Sequence, residues 1–260
     1  MAIEVFNRYE VKYLMDSDTF EKIQRQLIEY MELDEYNKKH PFYTISNIYY
    51  DTLDNHLIRN SLSKPKYKEK LRLRAYGVPS VEDKVYLEIK KKFNGIVNKR
   101  RTKLVLDEAY EFVETGDKPE LKSYMNKQVL NEIDYLIKLY NPVPKLYLAY
   151  DRKAFFGINN RDLRVTFDTN IRSRREELRL EAGDYGRYLL PEDIWLMEVK
   201  AEKTIPIWLS RMLSKHKLYK TSFSKYGTEY KNMILDNIEG GSNQCQCLTR
   251  YLVPQLSRYS

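Results

Sequence analysis

Lys70-Leu71-Arg72-Leu73-Arg74-Ala75-Tyr76 alternates without a break: Lys70, Arg72 and Arg74 share one parity, Leu71, Leu73 and Ala75 the other. Successive side chains of a β-strand point to opposite faces, so this stretch predicts a strand with one cationic and one apolar face. The pattern recurs along the chain. Over 4–14, Arg8, Glu10 and Lys12 alternate with Tyr9, Val11 and Tyr13. Over 85–92, Tyr86, Glu88 and Lys90 oppose Val85, Leu87 and Ile89. Phe93-Asn94-Gly95-Ile96 reads as the turn into a hairpin partner over 97–106, with Lys99 and Arg101 on one parity and Arg100 on the other. Arg164, Thr166 and Asp168 alternate with Leu163, Val165 and Phe167, and Glu198 and Lys200 with Trp195, Met197 and Val199.

One such strand needs only a sheet with a wet face. Five in one chain call for a shared interior. Further strands are predicted over 43–51 and 145–155, and helices over 18–31, 107–115, 121–140, 207–215 and 224–237. The predicted fold is α+β: an antiparallel β-barrel, a tunnel with a charged lumen, flanked by helices that cover the apolar face. The lumen candidates are the cations Lys12, Arg72, Arg74, Lys90, Lys99, Arg101, Arg152, Arg164, Lys200 and Lys225, against the carboxylates Glu10, Glu88, Asp168 and Glu198. Eight strands enclose a narrow interior. Burying that excess of cations is prohibitive unless a polyanion compensates them.

The rest of the sequence narrows the classes. The 260 residues carry 45 Lys+Arg against 37 Asp+Glu, a formal charge of +8, with 42% hydrophobic residues. That supports a packed core and argues against wholesale disorder. A single domain is expected over 1–239, with a flexible tail over 240–260. No apolar run is long enough to span a bilayer, and the N-terminus lacks a signal-peptide layout, so a cytoplasmic location is expected. Both cysteines, Cys245 and Cys247, lie in the tail, which excludes a disulfide framework. Three histidines without ligand spacing leave little for zinc.

Arginine's planar fork matches phosphate oxygens bidentately, and lysine adds point charge. A carboxylate among such groups is a poor phosphate ligand but a good ligand for Mg²⁺ or Mn²⁺. Glu198, alternating with Lys200 on a late strand, is the first candidate and Glu10 the second. The pattern predicts a tunnel for a metal-bound triphosphate or a longer phosphate chain.

Nine short motifs then fall in one order: Arg8-Tyr9-Glu10-Val11-Lys12-Tyr13, Ile48-Tyr49-Tyr50-Asp51-Thr52, Leu71-Arg72-Leu73-Arg74, Leu87-Glu88-Ile89-Lys90, Lys99-Arg100-Arg101, Tyr150-Asp151-Arg152, Arg164-Val165-Thr166-Phe167-Asp168, Glu198-Val199-Lys200 and Phe223-Ser224-Lys225-Tyr226. This order resembles the VTC domain, the polyphosphate polymerase branch of the triphosphate tunnel (CYTH-like) metalloenzymes. The resemblance implies transfer of the ATP γ-phosphoryl group to a growing polyphosphate chain, with ADP released and Mn²⁺ or Mg²⁺ required. It implies that Lys12, Arg72, Arg74, Lys90, Lys99, Arg152 and Arg164, joined by Tyr150, Ser224 and Lys225, hold nucleotide phosphates and product, and that Glu198 holds the metal. Parity alone does not choose between Lys99 and Arg101.

Two positions depart from the pattern. Hydrolytic relatives carry Glu-x-Glu-x-Lys on the first strand, where this chain has Arg8. A lysine expected three residues before Lys225 is Ser222, with Lys220 as a partial substitute. The alternatives to a polymerase are a triphosphate hydrolase of the same fold and a non-catalytic binder of polyanion or nucleic acid. The expected ligands are ATP and inorganic polyphosphate or pyrophosphate, with no nucleic acid; a separately encoded membrane partner is compatible with the sequence.

Overall fold

The computed structural model describes residues 9–94, 96–202 and 204–239. The tail over 240–260, its two cysteines and Arg8 lie outside them. The chain runs β1 (Tyr9–Asp16), α1 (Ser17–Leu27), β2 (Met31–Leu33), β3 (Tyr43–Asp51), α2 (His56–Leu62), β4 (Tyr67–Tyr76), β5 (Lys84–Phe93), β6 (Ile96–Val105), α3 (Leu106–Thr115), α4 (Lys127–Tyr140), β7 (Val143–Gly157), β8 (Arg164–Arg174), β9 (Arg187–Tyr188), β10 (Ile194–Ala201), α5 (Ile207–Lys215) and α6 (Lys225–Glu239). No helix among the described residues is long and apolar enough to cross a membrane.

Local chemistry sets the helix ends. The Asp16 side chain accepts from the Thr19 N–H and starts α1; Asn126 does the same for α4 through Val129. Asn141, in the left-handed region, ends α4, and Pro142 follows it.

One antiparallel path orders the strands β1-β10-β8-β7-β3-β4-β5-β6, with β2 added to β7 and β9 to β8. Register shifts at Tyr49/Tyr50 and Ala149/Asp151 interrupt the ladders in the middle of this path, and such irregularities bend a sheet. The expected barrel does not close by hydrogen bonds: β6 and β1 share no ladder among the described residues. The curled ends still meet electrostatically. Lys90 on β5 and Glu10 on β1, far apart in strand order, each feel the other's charge. Thr221 covers the outer edge of β1, its N–H donating to the Lys12 carbonyl at 2.8 Å.

The apolar parity packs outward in two patches. Leu71, Leu73, Val85, Leu87 and Ile89 pack with Phe112 and Val113 of α3 and Leu130 and Ile133 of α4. Val11, Tyr13, Val165, Phe167, Met197 and Val199 pack with Phe20 and Ile23 of α1 and Leu209 of α5. Burying the outer face against helices fixes the register, because a one-residue slip would turn every cation into these cores. A third cluster includes inner-face residues: Tyr49, Leu148, Tyr150 and Leu196 pack on Tyr226 and Tyr230 of α6. Asp51 holds that junction. Its carboxylate accepts from the N–H groups of Leu57 and Ile58 at 2.8 and 2.9 Å and from the Tyr226 hydroxyl at 3.2 Å.

Candidate active site

The inner parity gathers two interlocked ion clusters. In the first, Lys12 stands opposite Glu198, and Glu10 opposite Lys200, in the β1–β10 ladder. Lys12 Nζ lies 3.3 Å from Glu198 Oε1 and 3.7 Å from Glu10 Oε1. Lys200 Nζ donates to Glu198 Oε2 at 3.3 Å. Lys225, the first residue of α6, reaches Asp168 Oδ2 at 2.6 Å and Glu198 Oε1 at 3.5 Å. Arg152 grips Asp168 with both prongs, at 2.6 and 2.8 Å. The second cluster surrounds Glu88, only 1% exposed, with Arg72 at 2.6 Å, Lys99 at 2.7 Å and Arg74 at 3.7 Å. Tyr150 joins the two. Its hydroxyl accepts from Arg74 Nη2 at 3.2 Å, and its ring lies 4.4 Å from Lys225 Nζ and 5.1 Å from the Arg152 guanidinium.

Burial by itself would raise the pKa of these carboxyls, and their cations outweigh it. Glu88 is held far below the usual carboxylate range by Arg72, Arg74 and Lys99. Glu198 is held well below it by Lys12, Lys225, Lys200 and Arg152. Asp168 is lowered by Arg152 and Lys225, and Glu10 chiefly by Lys200. All four are therefore carboxylates whose charge is already answered. Lys70 and Arg164 have no such answer, making no ion pair among the described residues, and Lys90 has only the longer-range charge of Glu10. Lys70 and Lys90 are direct register partners on β4 and β5, an arrangement that like charges resist. Lys70 was missing from the expected lumen set, although it shares the parity of Arg72 and Arg74.

Other expectations separate in the structure. Lys99 contacts Glu88 from the bore, whereas Arg101 is exposed and rests 4.4 Å over the Tyr86 ring. Arg100 faces outward to Glu132 of α4. Ser224 caps α6, its hydroxyl accepting from the Gly227 N–H at 3.3 Å. Lys220 lines a cleft with Tyr13 and Leu213, two residues of the outward-packed core.

No group of three or more His, Cys, Asp or Glu gathers as a metal cluster among the described residues. The donor chemistry still fits a hard divalent ion that draws its remaining ligands from phosphate. Glu198 and Asp168 converge on Lys225, and Thr166, the register partner of Glu198, is 1% exposed with a hydroxyl that has no partner.

Lys70 and its neighbour Tyr49 carry a pH signature. Burial first, then Lys90, Lys68 and Lys12, pulls the Lys70 pKa down to about 8. Burial pushes the Tyr49 phenol up, but Arg72, Lys70 and Arg74 bring it down to about 8. A bound polyanion favours the protonated form of both groups. Below pH 8 they already carry their protons; above it, binding must take protons up, and affinity falls by up to about tenfold per pH unit for each proton. Calorimetric titration of tripolyphosphate between pH 7 and 9.5 checks this. The decline should be shallower in Lys70→Gln, a comparison that cancels the ligand's own ionisation; parallel curves would show that Lys70 takes no part.

Comparison with known proteins places this geometry. A family model described as VTC domain matches residues 7–234. No curated protein matches the chain. Among solved structures, one described as a putative adenylate cyclase from Bacillus halodurans superposes with a TM-score of 0.52 at 17% identity, covering 85% of this chain and 94% of that one. Another, from Hippeastrum, is described as a putative adenylyl cyclase with a dominant triphosphatase activity; it superposes at 0.50 with 13% identity, covering 86% and 95%. At those identities the likeness is one of fold. With most of its length matched and the inner-face cations arranged as above, this chain belongs to the VTC domain family.

Proposed function

We propose that the chain is an ATP-dependent polyphosphate polymerase. One observation carries the reading: each carboxylate of the bore faces at least two cations, while two further cations, Lys70 and Arg164, pair with none among the described residues. A terminal phosphate of a polyphosphate chain is already ionised at pH 7 and needs no base, only cations that let two anions approach. Water as acceptor needs a carboxylate free to orient and deprotonate it, and Glu88, Glu198 and Asp168 are engaged.

In this reading Arg72, Arg74, Lys99, Arg152 and Arg164 bind the nucleotide phosphates, and Lys12, Lys70, Lys90, Lys200 and Lys225 steer the acceptor. A terminal phosphate oxygen attacks Pγ as the bond from Pγ to the β–γ bridging oxygen breaks. ADP leaves with the electron pair, and no proton need move. Glu198, with Asp168 and Glu10 nearby, would hold the divalent ion, Mn²⁺ or Mg²⁺, which offsets charge on the transferring phosphoryl group. The ligands are ATP and inorganic polyphosphate or pyrophosphate.

Incubation of pure protein with ATP and Mn²⁺, followed by polyacrylamide electrophoresis stained for polyphosphate, tests the proposal. A ladder with ADP released is expected. Orthophosphate without polymer would replace it with a triphosphatase, and no turnover with salt-sensitive RNA binding would replace it with a nucleic-acid binder.

A further inference from the structure

The inner parity does not end in charge. Beside and one step beyond Arg74 it becomes aromatic, as it does beside Arg152. Tyr76 follows Arg74 by two residues on β4, Tyr86 is the register partner of Arg74 on β5, and Tyr43 is the register partner of Arg152 on β3. Tyr36, from the turn after β2, completes the group. Its ring lies parallel to that of Tyr76, at 4° and 6.2 Å between centroids, with Tyr43 5.6 Å from Tyr36 and Tyr86 edge-on to Tyr76 at 6.1 Å. Tyr36 and Tyr76 remain 60% and 43% exposed. Two tyrosines at the end of an anion-binding bore thus keep aromatic surface open to solvent.

The shelf is held in place. The Asp34 carboxylate accepts from the Tyr43 hydroxyl at 3.0 Å and from the Asn37 N–H at 2.8 Å. Asn37 is 5% exposed, and its side-chain oxygen accepts from the Ala154 N–H of β7 at 2.8 Å. The turn bearing Tyr36 is therefore pinned to the strand that carries Tyr150 and Arg152. A strand rises about 3.3 Å per residue, which sets Tyr76 about 7 Å beyond Arg74 and about 13 Å beyond Arg72. That order suits a ligand whose phosphates sit on the arginines and whose flat apolar end lies past them.

The geometry points to a nucleobase-stacking site on Tyr36 and Tyr76, with Tyr43 and Tyr86 as its backing, so that the bore takes a nucleoside triphosphate at this mouth in preference to a bare phosphate chain. The inference rests on the proposed reading only in taking the arginines as phosphate ligands. Aromatic faces hold bases of any identity by stacking, so the site discriminates nucleotide from inorganic phosphate more than adenine from guanine.

Calorimetric titration of two probes, the β,γ-imido analogue of ATP and inorganic tripolyphosphate, tests it without turnover. Tyr36→Ala and Tyr76→Ala are each expected to weaken the nucleotide analogue about tenfold, the scale of one lost stacking contact, with tripolyphosphate binding changed less than about twofold. Tyr76→Phe, which keeps the ring, should bind as the parent does. Tyr36 lies in an exposed turn, so its variant keeps the test open should Tyr76→Ala fail to fold. Equal losses for both probes, no loss for either, or a parent that binds tripolyphosphate as tightly as the nucleotide analogue would each overturn the inference. A protein that makes no polyphosphate yet loses nucleotide binding alone would sink the polymerase reading and leave this site standing.

Discussion

Arg72→Ala is expected to lose both stability and activity, and the paired variant Arg72→Ala/Glu88→Gln to regain only the first. Arg72 gives Glu88 its shortest contact, 2.6 Å, at a carboxylate 1% exposed. Removing one partner of a buried ion pair leaves a desolvated charge and costs about 3–5 kcal/mol. The lower end applies, because Lys99 at 2.7 Å and Arg74 at 3.7 Å stay beside Glu88. For a domain of this size, about 3 kcal/mol lowers Tm by roughly 6–12 °C. Glu88→Gln then removes the charge that needed answering. Arg74 keeps Asn47 at 2.9 Å and Tyr150 at 3.2 Å, and Lys99, with 36% of its side chain exposed, can rehydrate. Thermal unfolding of the pair should therefore recover at least half the loss. Activity should not recover, because a guanidinium aimed at developing phosphoryl charge is worth about 10²–10³ in rate, as for other preorganised donors. Polyphosphate synthesis restored together with Tm would mean that Arg72 serves only as the counter-ion of Glu88.

That experiment uses a distinction invisible in the sequence. Parity was legible: the alternations at Lys70–Tyr76, Leu163–Asp168 and Ile194–Ala201 depend on neighbours two residues apart, and each strand turns its cations where the pattern sends them. What lies far along the chain was not. The apolar period through Phe20, Ile23, Leu27 and Met31 reads as one helix, but α1 ends at Leu27, and Met31 belongs to β2, paired with Gly157 from β7. Leu121 continues the α4 stripe by spacing alone; Asn126 starts that helix later. Helix α2 had no local signal, because Asp51, several residues upstream, caps it. Lys99 and Arg101 share a parity and Arg101 is the register partner of Glu88, yet it is Lys99 that meets Glu88, while Arg101 turns to the Tyr86 ring. Alternation names a face; it cannot say how far along the bore a residue lies or which acid neutralises it. The open seam between β6 and β1 is of the same kind, being set by the curl of the whole sheet.

Depth also decides how Glu198 is to be read, and the second large effect is expected there. Glu198→Gln should reduce metal-supported synthesis by at least about 10²-fold while leaving metal-free binding of tripolyphosphate as tight as in the parent, or tighter. Two accounts of Glu198 make opposite forecasts for synthesis. As a structural counter-ion it merely quiets Lys12, Lys200 and Lys225, which lie 3.3, 3.3 and 3.5 Å away. Removing its charge would then free three ammonium groups, strengthen phosphate binding and spare turnover. As a metal ligand it is the fixed hard oxygen of a site whose other ligands arrive with the substrate, and losing it removes the ion's anchor without removing any cation that holds phosphate. Glutamine keeps the shape, and two lysines retain other acids: Lys225 has Asp168 at 2.6 Å and Lys12 has Glu10 at 3.7 Å. The fold should therefore survive with a loss of about 1–3 kcal/mol, the cost of partners left unsatisfied. Saturating tripolyphosphate should restore that stability, since a ligand at 100 times its Kd adds about 2.7 kcal/mol to the folded state. Calorimetry in EDTA, thermal unfolding with and without tripolyphosphate, and gel-resolved synthesis across a Mn²⁺ titration separate the accounts. Full synthesis at ordinary Mn²⁺ in Glu198→Gln would return Glu198 to the role of counter-ion and leave the divalent ion without a protein ligand at this position.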